Sequence, residues 1–326
     1  MIHPFNKLET VPKFKSMTWV SHTYCNYSCD YCVPEFYNGK YRWKDDFTDI
    51  INLVKNFRKN SPLRFDIMGG EPTLWPKFSD LCKKINDTGE KNYITFSTNG
   101  SRTINWWKKF DAPTSEVVLS FHIISGASIS HFIEVIKILS DKGYRVIVFL
   151  MMHPKHFKSI KKSAKKVIKL NLKCNLYVKL VSDWKNMEKG GALIDGYTQQ
   201  MKDFAVKIKY EKSHPRQDFW KYLCLHASDS KSYKRPIDLR DLINQEKNSF
   251  KGWMCATGID YIGVESNGDI YGSQCRHHGK LGNIHTGYTL PKAPQTCYRE
   301  FCNCGSDLEI YKFIDRKADV NTSKIL

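Results

Sequence analysis

The chain contains no apolar run long enough to cross a membrane. Its longest plainly apolar stretch is Val146–Met152, far short of the roughly 20 residues that a spanning helix needs. Its first residues, MIHPFNKLETVPKFKS, include no apolar h-region. No secretory signal and no membrane partner are therefore expected, and the expected compartment is the cytoplasm. Internal repeats and low-complexity segments are missing as well, which sets aside a repeat array. Acidic residues are scarce: 33 Asp and Glu stand against 51 Lys and Arg, for a formal net charge of +18. Arginine is scarcer still within the basic set, with 11 positions out of those 51. Nucleic-acid readers lean on Arg for bidentate contacts, so a lysine excess reads as compositional bias and not as a nucleic-acid footprint.

What is present suggests a folded chain. The 326 residues allow one large domain, or a large one with a small one. A hydrophobic share of 41% and an aromatic share of 13% exclude disorder for most of the length. Cysteine, by contrast, is plentiful. Of 11, eight fall into two groups: Cys25, Cys29 and Cys32 near the start, and Cys255, Cys275, Cys297, Cys302 and Cys304 near the end. Disulfides do not persist in a reducing cytosol, so clustered cysteines there point to metal.

Residues 17–211 alternate between strand and helix patterns. Strands are expected at Met17–His22, Leu63–Met68, Tyr93–Ser97, Glu116–Ile124, Tyr144–Met151 and Leu176–Val181. Helical spacing follows each, as in Phe47, Ile50, Ile51, Val54 and Phe57, or Phe157, Ile160, Ala164, Val167 and Ile168. Six βα units in a row predict a parallel sheet of α/β class, too short for a closed eight-fold barrel but able to form a partial (β/α)6, TIM-like one. In such folds the chemistry lies in loops at the C-terminal strand ends. Residues 1–16 read as an N-terminal segment and 212–250 as a linker or substrate-pocket segment, with a helix over Pro236–Gln245 and loops at Ser213–Pro215 and Ser228–Lys234. Residues 251–326 read as a small α+β extension rich in cysteine, with a hairpin turn at Ser266-Asn267-Gly268-Asp269.

The triplet Cys25-x3-Cys29-x2-Cys32 follows the first strand directly. Three thiolates on one short loop can hold three irons of a cubane and leave the fourth open, whereas a structural zinc site closes all four positions. The triplet resembles the signature of radical S-adenosylmethionine (SAM) enzymes. Met68-Gly69-Gly70-Glu71-Pro72-Thr73, after the second strand, resembles that family's GGEP motif, and Ser97-Thr98-Asn99-Gly100, after the third, its S-T-N-G element. The resemblance implies that Cys25, Cys29 and Cys32 bind a 4Fe-4S cluster whose open iron holds SAM. Reduction then cleaves SAM to a 5′-deoxyadenosyl radical, which takes a hydrogen from a substrate. It implies further that Tyr31 packs near the adenine and that Gly69, Gly70, Glu71 and Pro72 face the SAM amino group, with Glu71 offering a carboxylate suited to an ammonium. Ser97 and Asn99 would reach the carboxylate or ribose. Ser120 on the fourth strand would contact SAM; His122 would face SAM or substrate, or else be a core histidine.

The stretch from Cys255 through Cys275 to Leu281-Gly-Asn-Ile284 resembles the twitch or SPASM extension of the same family. This implies one auxiliary iron–sulfur cluster on four of Cys255, Cys275, Cys297, Cys302 and Cys304, the spare thiol being open. A zinc site would use four cysteines equally well. Cys82 and Cys174 read as core residues, and Cys224 as core or a hydrogen-atom donor. The implied substrate is a peptide or protein that undergoes oxidation, epimerisation or cross-linking; the alternatives are dehydrogenation of a small alcohol or aminocyclitol, and RNA modification. The implied reductant is a flavodoxin or ferredoxin. From a different class, a zinc-stapled basic nucleic-acid-binding protein would explain the charge and the cysteines but not three SAM-like motifs at successive strand ends.

Overall fold

The apolar residues of β3 (Leu63–Met68) show how the main sheet is built: Leu63, Phe65 and Ile67 are all buried, as is Arg64 between the first two. Period-two burial marks β5 (Glu116–Phe121), where Val117, Leu119 and Phe121 are fully inside. The computed structural model describes residues 5–11, 13–33, 36–44, 46–182, 193–212, 224–228, 234–237, 242, 247–302 and 304–315. The chain divides into two units. The larger comprises Trp19–Lys55 and Arg64–Asp218, the other Met1–Thr18, Asn56–Leu63 and Phe219–Leu326.

The strand order is β2 (Lys15–Val20), of which Trp19 and Val20 belong to the larger unit, then β3, β4 (Asn92–Thr98), β5, β6 (Arg145–Met152), β7 (Asn175–Leu180), β8 (Lys209–Glu211). β4 through β7 pair in parallel, Ser97 standing beside Val118 and Ser120 beside Phe149. Helices α1 (Thr48–Arg58), α2 (Phe78–Asn86), α3 (Ile104–Lys109), α4 (Ile129–Asp141), α5 (Phe157–Lys169) and α6 (Gln199–Lys207) lie between the strands in sequence. Three begin where a hydroxyl side chain satisfies a free amide: Thr103 accepts from Trp106 N, Ser128 from His131 N and Thr198 from Met201 N. α5 buries Ile160, Ser163, Ala164 and Val167 while its lysines stay exposed, as expected for a solvated lysine face. The result is an α/β fold on a mostly parallel sheet.

Two expected boundaries move. The fourth strand ends at Phe121; Ile123–Ser125 then form a 3-10 turn, closed by Gly126 at φ 76°. That left-handed conformation suits glycine. After α6 the chain returns as β8, antiparallel to β7.

In the second unit, β1 (Lys7–Val11) pairs with β9 (Cys224–Ser228) and β17 (Lys312–Phe313). The expected N-terminal segment is thus part of a sheet ordered β10 (Lys234–Ile237), β9, β1, β17, β11 (Met254–Cys255), β16 (Gln295–Thr296). β10 replaces the start of the helix expected over Pro236–Gln245. Pro236 has no amide hydrogen and sits on an outermost strand, where sheets tolerate proline; the rest of that helix lies outside the described residues apart from Leu242. The Ser213–Pro215 loop is also outside them, and of the other expected loop only the strand ends Ser228 and Lys234 are described. β12 (Tyr261–Val264) and β13 (Asp269–Tyr271) form the expected hairpin, with Asn267 Oδ1 accepting from Asp269 N at 3.0 Å and Gly268 at φ 87°. β14 (Lys280–Asn283) and β15 (Gly287–Tyr288) extend it. Phe5, Leu8, Leu242, Phe250, Trp253 and Leu308 form the core beneath. Among the described residues no helix is long and apolar enough to cross a membrane.

Candidate functional site

Three loops meet at the C-terminal ends of β2, β3 and β4. Ser21 N and Ser21 Oγ both donate to Met68 O, at 2.8 and 3.1 Å. Gly70 N donates to His22 O at 2.8 Å, and Glu71 N to Tyr24 O at 2.9 Å. The glycine loop is therefore sewn to the backbone that leads into the cysteines. The approach is too close for side chains: a Cβ on Gly70 would stand 2.1 Å from Tyr24 O, and one on Gly69 2.5 Å from His22 O. Gly69 also adopts φ +146°. Pro72 starts a buried 3-10 turn, Pro72–Leu74.

The Glu71 carboxylate is turned inward. Its Oε1 accepts from Thr73 N at 3.1 Å and from the hydroxyls of Thr73 and Thr98 at 2.6 Å each; its Oε2 accepts from Asn99 N at 2.6 Å. At 1% exposure it touches no solvent. In this arrangement the carboxylate braces the β3 and β4 loops against each other. Asn99 is committed in the same way. Its Nδ2 donates to Asn26 Oδ1 at 3.0 Å and lies 3.9 Å from Cys25 Sγ, while its Oδ1 accepts from Ser101 N at 2.9 Å. Ser97 and Ser120 are half-buried and alternate along their strands with the core residues Phe96, Leu119 and Phe121.

The three cysteines of this loop are free thiols, Cys29 buried and Cys25 and Cys32 half-buried. Cys25 is pushed up to about 11 and Cys32 up to about 12, chiefly by burial, with Glu71 and Cys29 contributing at Cys25 and the Cys29 and Cys25 sulfurs at Cys32. Burial likewise raises Cys29, while the Ser125 hydroxyl, 3.0 Å from its sulfur, works the other way. Crowded, desolvated thiols resist deprotonation unless positive charge joins them, which is what metal binding supplies. Among the described residues no three His, Cys, Asp or Glu side chains are grouped to hold a single metal ion. Cys29 and Cys32 are tied by a Cys32 N to Cys29 O hydrogen bond of 3.0 Å. His122 Nδ1 lies 2.7 Å from Tyr31 OH and 3.5 Å from Cys29 Sγ, and the two rings stack at 6.0 Å. Burial holds His122 down to about 4, with Lys179 adding to the effect, so its ring is neutral near pH 7.

A second group forms in the other unit. Cys255, Cys275, Cys297 and Cys302 are electrostatic neighbours. Burial pushes Cys255 up to about 11 and holds Cys302 well above the ordinary thiol range. Asp307, 3% exposed, anchors Cys275: its carboxylate accepts from Gln274 N at 2.8 Å and Cys275 N at 2.9 Å. Lys312 sits among these groups at 1% exposure. Burial by itself would lower its pKa, but Cys255, Cys302 and Asp307 outweigh that and hold it above its usual range. Cys304 caps α7 (Gly305–Leu308). Cys82 and Cys174 are buried core residues; Cys224 lies on β9, its side chain outside the described residues.

Sequence patterns did not single out Asn26, Ser125, Asp307 or Lys312 as site residues. Thr98 was within reach, since it lies inside the S-T-N-G stretch. The others are polar residues that become special only through their neighbours.

Residues 19–167 match the family described as the Radical SAM superfamily. An S-adenosylmethionine-dependent nucleotide dehydratase from Thermoplasmatales archaeon (strain ISO4-H5) is 27% identical over 119 residues, covering 36% of this chain and 41% of its own length. A GTP 3′,8-cyclase from Haemophilus ducreyi is 32% identical over 91 residues, covering 26% of each. The chain thus spans less than half the length of these curated relatives. In fold, it is similar to anSMEcpe solved with AdoMet and the Kp18Cys peptide, at TM-score 0.54 and 17% identity, over 85% of this chain and 79% of that one. It is also similar to Streptococcus suis SuiB bound to precursor peptide SuiA, at TM-score 0.51 and 13% identity, over 86% of this chain and 62% of that one.

Proposed function

With residues 19–167 a radical SAM superfamily domain, we propose that the chain reductively cleaves SAM at a 4Fe-4S cluster on Cys25, Cys29 and Cys32 and abstracts a hydrogen from a peptide or protein substrate. The family uses such a cluster together with SAM, and its matched relatives are enzymes. One observation carries the reading: three clustered thiols and two ligand-type loops are locked together at successive strand ends by hydrogen bonds of 2.6–3.0 Å. The donor set fits the group, since a three-cysteine loop leaves one iron for SAM. When bound, the cluster supplies the electron that cleaves SAM.

The chain's own residues orient and shield. Gly69 and Gly70 let backbone approach the site, Glu71 holds the Asn99 amide in place, and Asn99 steadies the Cys25 loop. Tyr31 and the neutral His122 ring wall the side near Cys29 without adding charge. Ser97 and Ser120 are the polar groups offered to SAM. In the second unit, Cys255, Cys275, Cys297 and Cys302 would hold an auxiliary iron–sulfur cluster of twitch type, with Cys304 as the spare thiol. That cluster would accept an electron from the substrate radical.

A peptide substrate accords with the two fold neighbours solved with peptides. A second reading, a nucleotide substrate, is favoured by the names of the matched relatives. The test is SAM cleavage to 5′-deoxyadenosine under a strong reductant in anaerobic solution, with unstructured peptides in one arm and GTP or other nucleoside triphosphates in the other. Peptide-stimulated cleavage supports the first reading, and nucleotide-stimulated cleavage the second. No cleavage by a protein carrying its full iron complement would sink both. A flavodoxin or ferredoxin is the proposed physiological reductant.

A further inference from the structure

A cavity of about 250 Å³ lies wholly within the second unit, where the turn from β1 to β2, the start of β12 and the end of α7 come together. Three acids line it, Glu9, Asp260 and Glu309, together with two lysines, Lys13 and Lys292. Their burial runs in opposite order. Glu9 is 3% exposed and Asp260 and Glu309 are half-buried, whereas both lysines are exposed. Negative charge therefore sits deep and positive charge at the mouth. Lys13 is held there, its ammonium 5.2 Å from the centre of the Tyr311 ring. Lys7 reaches Glu9 Oε2 at 3.1 Å, and a carboxylate has acceptor sites left for a ligand beside such a partner. Lys15 and Lys13 stand near enough to Asp260 to favour its charged form. The acids are not grouped closely enough to hold a metal ion. Ser16, at the start of β2, lines the same cavity at 4% exposure. Its amide donates to Asp260 O at 2.8 Å, but its buried Oγ has no hydrogen-bond partner among the described residues. A hydroxyl withdrawn from water and left unmet is costly, and a ligand in the cavity would supply the partner. Phe14, Ile259 and Pro294 add apolar wall.

We propose that this cavity binds a free amino acid with an aliphatic side chain. The ammonium enters first and meets Glu9, Glu309 and the Ser16 hydroxyl, which accepts from it; the carboxylate stays at the mouth with Lys13 and Lys292. Charge-assisted hydrogen bonds at both ends are the strong kind, and the opposite placement of acids and lysines fixes which end enters. The volume falls below the roughly 300–1,000 Å³ of sites that take drug-sized ligands, so the occupant is no larger than a single amino acid of moderate size. A bare anion would meet three acids and a bare amine would pass two lysines, so either half alone is held less well. The site does not depend on the chemistry at Cys25, Cys29 and Cys32, which lie in the other unit.

The test is equilibrium dialysis of L-leucine against the full chain, anaerobically reconstituted. Saturable binding of about one leucine per chain is expected, with a Kd of about 1 mM or tighter. Two probes each lack one end of leucine: isoamylamine has no carboxylate and isocaproate no ammonium. Each should bind about tenfold more weakly or worse, the loss of one charge-assisted contact. Glu309→Gln should weaken leucine binding about tenfold, as should the double variant Lys13→Met with Lys292→Met. Both lysines are exposed, so the double variant folds and keeps the test open even where Glu309→Gln does not. Substituting alanine for Cys25, Cys29 and Cys32 should leave leucine binding intact. Loss of binding in that triple variant would assign the amino acid to the first unit and overturn the proposal. The absence of saturable binding at about 10 mM leucine overturns it as well, as does an unchanged affinity in the double variant, or a one-ended probe that binds as tightly as leucine. Failure of the radical reading shows separately, as an absence of SAM cleavage.

Discussion

Replacing Gly70 with alanine adds one methyl group, and the structure says where it must go. The new Cβ would stand 2.1 Å from Tyr24 O, 2.4 Å from Tyr24 C and 2.9 Å from Cys25 N. All three are backbone atoms, so no side chain can swing aside. Reaching an ordinary contact of about 3.5 Å requires the two loops to part by more than an ångström. That displacement breaks the Gly70 N to His22 O and Glu71 N to Tyr24 O hydrogen bonds, which are 2.8 and 2.9 Å long. At about 1 kcal/mol net for each bond, with strain added, the expected loss is about 2–4 kcal/mol. More telling than stability is what moves: Cys25 begins where the clash ends. Gly70→Ala should therefore lose about four irons on reconstitution, keep the C-terminal complement and cleave no SAM. Gly305→Ala is the control, since its Cβ meets nothing within 4 Å; it should leave iron content unchanged. The assay is iron and sulfide per chain, with urea unfolding of the metal-free protein. A Gly70→Ala protein with the wild-type urea midpoint and full iron would refute the steric argument.

Glu71→Gln turns an amide N–H2 toward groups that are themselves donors. It should cost about 2–4 kcal/mol, read as a lower urea midpoint, and an unchanged midpoint would contradict the bracing role. Substituting alanine for Cys25, Cys29 and Cys32 together should remove about four irons and all SAM cleavage while sparing the second unit's cluster, checked by the same iron count. His22 is buried, its pKa drawn by that burial from 6.5 down to about 4. The native ring stays neutral where the unfolded ring takes up a proton, so stability is full above about pH 6.5 and is lost as pH falls toward 4. The slope is at most about 1.4 kcal/mol per pH unit and the total about 3 kcal/mol. Urea unfolding of metal-free wild type and His22→Asn between pH 4.5 and 7.5 should show that difference, and parallel pH profiles would count against it. Asp307→Asn should weaken the hold on the Cys275 amide and lower C-terminal iron without touching the first cluster, as read by iron content after parallel reconstitution.

The sheet and helices of the larger unit were legible because their signals are local. Apolar residues repeat every second position in β3 and β5 and on one face of α5, and such periods declare themselves without knowledge of the partner. The elements misread were those whose state is set from outside. Lys234–Ile237 carries a proline and no clear period, and it is a strand because β9 lies beside it. Residues 7–11 read as part of an N-terminal segment and are a strand because β9 and β17 flank them. In the site, the three-cysteine loop stood out by its spacing, and the glycine pair by its resemblance to a family motif at the next strand end. The inward turn of Glu71 could not, because the four donors that capture it come from Thr73, Thr98 and Asn99.

The sequence by itself determined that this chain has a run of βα units with cysteine, glycine and polar motifs at successive strand ends, because bond spacing and side-chain period act within a few residues. Only the tertiary structure decided which polar groups remain open to a ligand and which are used up inside. Glu71 and Asn99 became braces, and Lys312 was buried with its ammonium on the Asp307 and Ile310 carbonyls, because burial and hydrogen bonding depend on what arrives from far along the chain: Asn26 lies 73 residues from Asn99, and β11, with Cys255, is set against β17, with Lys312, by strand pairing.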